Sequence, residues 1–222
     1  MEIKTEEVNY FKNINGYLAS PNKEGSYGGV VMIHENRGLN EGIKEYAEKL
    51  AEEGYLVLAI DLFQGETVPT VAEGMALMAK FDQGEGIENM RAAVAYLREK
   101  GAHKVGSIGW CFGGAQSLKL ATSGEQMNGT VIYYGRLVAD KEELSRIKWP
   151  VLGIFAGNDG HITPEHVEEF KKNLDELGIE NDITIYPGVD HAFANPSNPQ
   201  FAPKETEDAW NKTLEFLKKN LK

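Results

Sequence analysis

The single cysteine, Cys111, stands in a glycine-rich segment that is typical of a nucleophile at a strand-to-helix turn, Gly109-Trp110-Cys111-Phe112-Gly113-Gly114. Such a turn is tight and strained, and glycines around the nucleophile avoid collisions with the neighbouring backbone. The thiol is expected at the N-terminus of the following helix, whose dipole stabilises a thiolate. Free cysteine is often merely buried, but this context favours a nucleophile.

Two further segments supply an acid and a base. Asp159 follows an apolar run in Phe155-Ala156-Gly157-Asn158-Asp159, and His191 follows the last apolar run in Asp190-His191-Ala192-Phe193. The chain order of nucleophile, acid and base is that of α/β hydrolases. Asp159 could instead be an ordinary turn residue, since aspartate side chains often bond to nearby backbone.

A fourth segment, His34-Glu35-Asn36-Arg37-Gly38, follows an early apolar run. In an α/β hydrolase this position supplies one oxyanion-hole amide, and the residue after the nucleophile supplies the other. We therefore expect the backbone amides of Asn36 and Phe112 in these roles. Glu35 could hold or accept the thiol proton, with a solvent-facing carboxylate as the alternative. Arg37 is either a substrate ligand or a surface cation.

These segments sit at the ends of elements that alternate along the chain. Apolar runs predict strands, and amphipathic runs with glycine or proline at their ends predict helices. This alternation predicts one mostly parallel sheet with helices on both faces, a three-layer α/β-hydrolase sandwich in a single domain spanning residues 1–222. The segment Val8–Ala19 predicts an antiparallel hairpin at the sheet edge, turning at Asn15-Gly16. The strands are expected at Gly29–His34, Tyr55–Ile60, Lys104–Gly109, Thr130–Tyr134, Val151–Ala156 and Asp182–Tyr186, and the helices at Gly42–Glu53, Val71–Phe81, Ile87–Glu99, Phe112–Thr122, Pro164–Leu177 and Thr206–Leu217.

Composition limits the function classes. The 222 residues carry 23 Lys and Arg against 34 Asp and Glu, a formal charge of -11. This acidic balance argues against nucleic acid or an anionic membrane surface as a partner. The longest apolar runs are far shorter than a membrane span requires, and the acidic N-terminus does not resemble a secretory signal. We expect a cytoplasmic monomer or small homo-oligomer acting on a small molecule.

The chain resembles the dienelactone hydrolase (carboxymethylenebutenolidase) family. The segments above carry the resemblance, with the fourth extended to His34-Glu35-Asn36-Arg37-Gly38-Leu39-Asn40, together with two others, Ala59-Ile60-Asp61-Leu62-Phe63 and Tyr133-Tyr134-Gly135. The resemblance implies an ester or lactone hydrolase with a Cys111-Asp159-His191 triad. It also implies activation of the thiol by Glu35, a lactone or ester substrate and no cofactor.

The family's enol-lactone substrates bear a carboxylate that arginines hold, one of them shortly after the triad histidine. Here that stretch reads Ala192-Phe193-Ala194-Asn195-Pro196 and contains no arginine. Arg37 and Arg136 are the candidate replacements, because both follow predicted strands at the substrate end of the sheet. Phe63, Tyr134 and Phe193 are expected to line a partly aromatic pocket.

Three other interpretations fit part of the sequence. A class I glutamine amidotransferase would carry a glutamate two residues after its histidine, where this chain has Phe193. A metal site is disfavoured because His161 and His166 are five residues apart and do not share a helical face as i, i+4 residues do. A non-catalytic binding protein on a hydrolase fold is the remaining alternative, and the intact Cys111, Asp159, His191 and Glu35 argue against it.

Overall fold

The computed structural model describes all 222 residues, which form eight strands and seven helices. In chain order these are β1 (Ile3–Phe11), β2 (Ile14–Pro21), β3 (Gly28–Ile33), α1 (Glu41–Glu52), β4 (Tyr55–Ile60), α2 (Val71–Lys80), α3 (Gln83–Glu99), β5 (Val105–Trp110), α4 (Phe112–Thr122), β6 (Gly129–Tyr133), α5 (Lys141–Leu144), β7 (Val151–Ala156), α6 (Pro164–Glu176), β8 (Asn181–Tyr186) and α7 (Pro203–Leu221). The strands follow the order β1-β2-β4-β3-β5-β6-β7-β8 in one sheet. This confirms the mostly parallel sheet with an antiparallel edge hairpin. No helix combines the length and apolarity needed to cross a membrane.

The chain groups into two compact units. The first comprises Met1–Ile108 with Leu221–Lys222, and the second comprises Gly109–Asn220. A single-domain organisation over residues 1–222 stays a prediction.

In the first unit, β3 and β4 run parallel, from the pair Gly28↔Tyr55 to the pair Ile33↔Ile60. Every residue of both strands is buried, which is typical of a parallel strand covered on both faces. Helix α1 begins at Glu41 because the Asn40 side chain caps it by accepting from the Ile43 amide at 3.3 Å. Such capping satisfies an amide that has no partner within the helix.

The predicted hairpin exists, but its turn was placed wrongly. Strand β1 ends at Phe11 and β2 begins at Ile14, so the chain turns at Lys12 and Asn13. Asn15 and Gly16 lie inside β2, paired with Asn9 and Val8. A β-carbon on Gly16 would lie 2.8 Å from the Ala59 carbonyl oxygen. Close packing between strands therefore explains this glycine, and the turn does not.

In the second unit, β6, β7 and β8 are parallel neighbours. The Tyr133 hydroxyl at the end of β6 donates to the Ala209 carbonyl of α7 at 3.0 Å, which fixes α7 against this strand. Helix α7 is longer than predicted at both ends, and α3 begins four residues early because Asp82 caps it. The short helix α5, which the sequence analysis did not predict, is capped by Asp140.

Candidate active site

The Cys111 backbone is strained where β5 meets α4. Its φ of 53° and ψ of -113° place it in a region that residues with a β-carbon rarely adopt. A β-carbon on Gly109 would lie 2.1 Å from the Gly113 carbonyl oxygen, so only glycine fits there. Gly114 is equally constrained, because its β-carbon would lie 2.5 Å from the Tyr133 carbonyl oxygen. This is the sharp turn that the glycine pattern predicted.

The side chains of Cys111, His191 and Asp159 form one hydrogen-bonded chain. His191 Nε2 lies 3.2 Å from Cys111 Sγ, and His191 Nδ1 lies 2.5 Å from Asp159 Oδ2. The Asp159 side chain is only 1 % exposed, whereas the His191 side chain is 30 % exposed. The carboxylate is therefore shielded from water, and the imidazole remains accessible to a small molecule.

The Asp159 carboxylate is fixed by more than the histidine. Its Oδ1 accepts from the amides of His161 at 2.8 Å and Ile162 at 3.0 Å. Burial would raise the pKa of Asp159, but the hydrogen bonds from His191 and from these two amides hold it below its usual value. Asp159 is therefore ionised near neutral pH and oriented toward the histidine.

Two opposing effects set the protonation of His191. Burial alone would lower its pKa, but the hydrogen bonds to Asp159 and Cys111 and the negative charge of both partners raise the pKa of His191 to about 10. The imidazole can therefore hold a proton beside the Cys111 sulfur at neutral pH.

Backbone hydrogen bonds tie the loop of the acid to the loop of the base. The Gly157 amide donates to the Tyr186 carbonyl at 2.8 Å, and the Asn158 amide donates to the Val189 carbonyl at 2.9 Å. Both loops follow adjacent parallel strands, β7 and β8. Pairing at the strand ends thus continues into the loops and places Asp159 beside His191.

The other predicted residues of the second unit lie around His191 and at the end of β6. Phe112 is the first residue of α4, so its amide belongs to the N-terminal turn, where amides lack helical acceptors. The ring centroid of Tyr134 lies 5.3 Å from that of His191 and 5.7 Å from that of Phe193. Tyr134 and Phe193 are fully buried, so the Tyr134 ring supports the histidine from the interior and the Phe193 ring supports Tyr134. Arg136 lies three residues beyond β6 and is exposed.

Glu35, Asn36, Arg37 and Phe63 lie in the first unit. Glu35 and Asn36 are both buried. Burial and the negative charge of Glu35 raise the pKa of Tyr46 to about 12. Arg37 is half-buried, and its Nη1 donates to the Pro69 carbonyl at 3.3 Å.

His34 and Asn198, to which the sequence alone assigns no role, fix the backbone next to Glu35 and His191. His34 is completely buried; its Nδ1 lies 2.6 Å from the Glu35 carbonyl oxygen, and its Nε2 accepts from the Leu62 amide at 3.0 Å. Burial lowers the pKa of His34, which suits this neutral tautomer. Asn198 donates to the carbonyls of His191 and Ala192. The motif that contains His34 indicates that this residue matters, whereas no pattern in the sequence marks Asn198.

Comparison with known proteins agrees with the resemblance that the motifs carry. The sequence model of the dienelactone hydrolase family matches residues 14–221. The chain is 30 % identical to the protein usf of Aquifex pyrophilus, over 96 % of this chain and 98 % of that one. It is 29 % identical to a candidate carboxymethylenebutenolidase of Saccharolobus solfataricus, over 93 % and 94 % of the two chains.

A solved structure supports the fold. The crystal structure of a candidate dienelactone hydrolase from Klebsiella pneumoniae superposes with a TM-score of 0.90 and covers 98 % of this chain and 99 % of that one. The two sequences are 24 % identical.

Proposed function

Because the chain belongs to the dienelactone hydrolase family, we propose that it hydrolyses small carboxylic esters or lactones with Cys111 as the nucleophile. The observation that carries the proposal is the position of His191, within hydrogen-bond distance of both the Cys111 sulfur and the Asp159 carboxylate. Asp159 orients the imidazole and stabilises its charged form. The strained turn presents the sulfur at the start of α4, which favours a thiolate.

In the first half of the reaction, the Cys111 thiolate attacks the carbonyl carbon of the substrate. The negative charge moves to the carbonyl oxygen, for which we propose the Phe112 and Asn36 amides as donors. When the carbon–oxygen bond to the leaving group breaks, His191 donates its proton to the departing oxygen. An acyl-thioester on Cys111 remains; with a lactone, the released hydroxyl or enol stays attached to the acyl chain.

In the second half, the neutral His191 removes a proton from water as that water attacks the thioester carbon. The carbon–sulfur bond then breaks, which releases the carboxylic acid and restores the thiolate beside the imidazolium. A thiolate is a good leaving group, so this chemistry suits esters and enol-lactones better than amides. The family resemblance implies that Glu35 holds or accepts the thiol proton before substrate binds; in the cycle proposed here His191 carries that proton, so no step of the cycle requires Glu35.

The nucleophile is tested with a nitrophenyl ester. We expect Cys111→Ala to abolish both the burst of nitrophenol and steady-state turnover, because no acyl-thioester can form. In the wild type, iodoacetamide is expected to label Cys111 at neutral pH faster than it labels free cysteine, since an imidazolium neighbour favours the thiolate. A Cys111→Ala variant with full activity would contradict the assignment, and a sulfur no more reactive than a buried thiol would favour a non-catalytic binding protein.

We further propose that Arg136 recognises a carboxylate on the substrate, with Arg37 as the other candidate, and that the buried rings of Tyr134 and Phe193 form the apolar backing behind His191. The charge of -11 repels anions at long range, so anion selectivity requires a local cation. Arg136 is exposed beyond the end of β6 and is the stronger candidate. Arg37 already donates to the Pro69 carbonyl.

This anion site predicts a difference between two otherwise matched esters. For an ester with a carboxylate, we expect Arg136→Ala to raise KM about tenfold, a typical cost for losing one charge-assisted hydrogen bond. For the uncharged ester, KM should stay at the wild-type value. If KM changed equally for both esters, Arg136 would not recognise the substrate carboxylate. The assignment of Cys111 as the nucleophile would be unaffected.

A further inference from the structure

Three consecutive backbone carbonyls, beginning at His191, are held by the segment that follows them. The Asn198 side chain donates from Nδ2 to the His191 carbonyl at 3.0 Å and to the Ala192 carbonyl at 3.2 Å. The third carbonyl, that of Phe193, accepts from the Ala202 amide at 2.9 Å. The backbone that carries the His191 ring is therefore fixed from one side by residues 198–202.

The backbone next to His191, at Ala192, is strained and needs these hydrogen bonds to hold it. Ala192 has a φ of 59°, which is the left-handed region that a residue with a β-carbon disfavours. Such a conformation persists only when surrounding contacts hold it. The Ala192 carbonyl accepts from Asn198 and from the Asn195 amide at 3.0 Å, so the strained residue is tied down directly beside His191.

The Asn198 side chain is itself oriented by the loop. Its Oδ1 accepts from the Gln200 amide at 3.0 Å, which points the two Nδ2 hydrogens toward the two carbonyls. Its own amide donates to the Asn195 carbonyl at 2.9 Å, and its carbonyl accepts from the Phe201 amide at 3.0 Å. Each polar group of Asn198 therefore has a partner within residues 191–201. Neither a carboxylate nor an aliphatic side chain of similar size could reproduce these contacts.

We propose that Asn198 is a positioning residue that holds the His191 imidazole at the angle where it reaches Asp159 and Cys111 together. The inference rests on the proposed function of that site. The imidazole spans two partners at 2.5 and 3.2 Å, so a small rotation of its backbone breaks one of these hydrogen bonds. Misplacement of about 1 Å in a catalytic group can cost roughly 100-fold in rate.

The test compares Asn198→Ala with a matched control, Asn220→Ala. Asn220 also donates from its side chain to a backbone carbonyl, that of Phe216 at 2.9 Å, but within helix α7. We expect Asn198→Ala to lower the rate of Cys111 alkylation by iodoacetamide at neutral pH by roughly 10- to 100-fold. The His191 pKa, followed by NMR of the ring nitrogens, should also fall from about 10 toward its ordinary value. Asn220→Ala should leave both quantities at the wild-type value.

Wild-type alkylation and an unchanged His191 titration in a folded Asn198→Ala variant would overturn the proposal. If that variant does not fold, Asn198→Asp replaces it, because the carboxylate keeps the acceptor for the Gln200 amide and lacks both donors. Unchanged alkylation in Asn198→Asp would likewise overturn it. Neither readout requires ester turnover. An active Cys111→Ala variant would therefore refute the proposed function while the His191 titration still decides the role of Asn198.

Discussion

His191 lies between a buried carboxylate and a thiol, and its charge depends on both. Asp159 is ionised and shielded from water, so its charge acts on the imidazole with little screening. A protonated His191 places its Nε2 donor 3.2 Å from Cys111 Sγ. In the proposed mechanism, this same proton goes to the leaving group.

Asp159→Asn is the sharpest test of this coupling. The amide has the shape of the carboxylate and keeps an acceptor for the His161 and Ile162 amides, but it carries no charge. We expect the pKa of His191 to fall from about 10 toward 6.5, because the hydrogen bond to an anion that raises it is lost. Alkylation of Cys111 near pH 8 should then slow markedly. NMR titration of the histidine ring nitrogens measures the midpoint, and a midpoint that stays near 10 would refute the coupling.

At the residue scale, the sequence predicted which side chains meet but not what fixes them. Cys111, Asp159 and His191 each follow a strand, and the ends of parallel strands share one edge, so their order was enough to group them. The support from Asn198 depends on how residues 195–206 fold back on the histidine. That geometry follows from turns among asparagine, serine and proline, whose types alone do not specify a partner.

At the element scale, helix α2 limits where the Asn36 backbone can lie. Gly74 on α2 is buried, and a β-carbon there would lie 2.5 Å from the Asn36 carbonyl oxygen. The helix is anchored at its start by a capping box between Thr70 and Glu73, which satisfies two amides at once. Because the helix start is fixed, a larger residue at Gly74 must displace the Asn36 segment.

We therefore expect Gly74→Ala to reduce kcat for ester hydrolysis by roughly 10-fold or more, since the proposed Asn36 oxyanion donor moves. Alkylation of Cys111 should stay at the wild-type rate, because the hydrogen bonds of Cys111, His191 and Asp159 do not involve Gly74. A suitable control is Gly84→Ala in α3, whose added methyl would meet only the Asp82 carboxylate, at 3.2 Å. Equal kcat values in the wild type and Gly74→Ala would argue against Asn36 as a donor.

Apolar periodicity in the sequence predicted most of the strands and helices, but it did not predict the position of the hairpin turn. The hairpin turn was assigned to Asn15-Gly16 because that dipeptide favours tight turns. The structure instead turns at Lys12, which takes a φ of 47°, and uses Gly16 for close approach to β4. A glycine selected for packing looks identical to a glycine selected for a turn, so local sequence could not separate them.

At the scale of the whole molecule, two sets of groups make stability depend on alkaline pH. The pKa of His191 is about 10 in the fold against 6.5 ordinarily, so its contribution is complete below 6.5 and is lost as pH rises toward 10. Burial also raises the pKa of five tyrosines; those of Tyr46 and Tyr55 rise to about 12, and those of Tyr10, Tyr17 and Tyr186 are raised as well. Their contribution is complete below 10 and is lost above it, where the unfolded chain releases protons that the fold retains.

These windows predict a two-stage loss of stability. The free energy of unfolding should decline gently between about pH 6.5 and 10 and steeply above 10, where the growing negative charge of an already acidic chain adds repulsion. Denaturant titrations across this range, with the ultraviolet absorbance of tyrosinate, measure both stages. His191→Gln should remove the gentle decline and leave the steep one, because the tyrosines are unchanged. If the variant and the wild type declined equally below pH 10, the charge on His191 would contribute nothing to folding, and its raised pKa would be refuted.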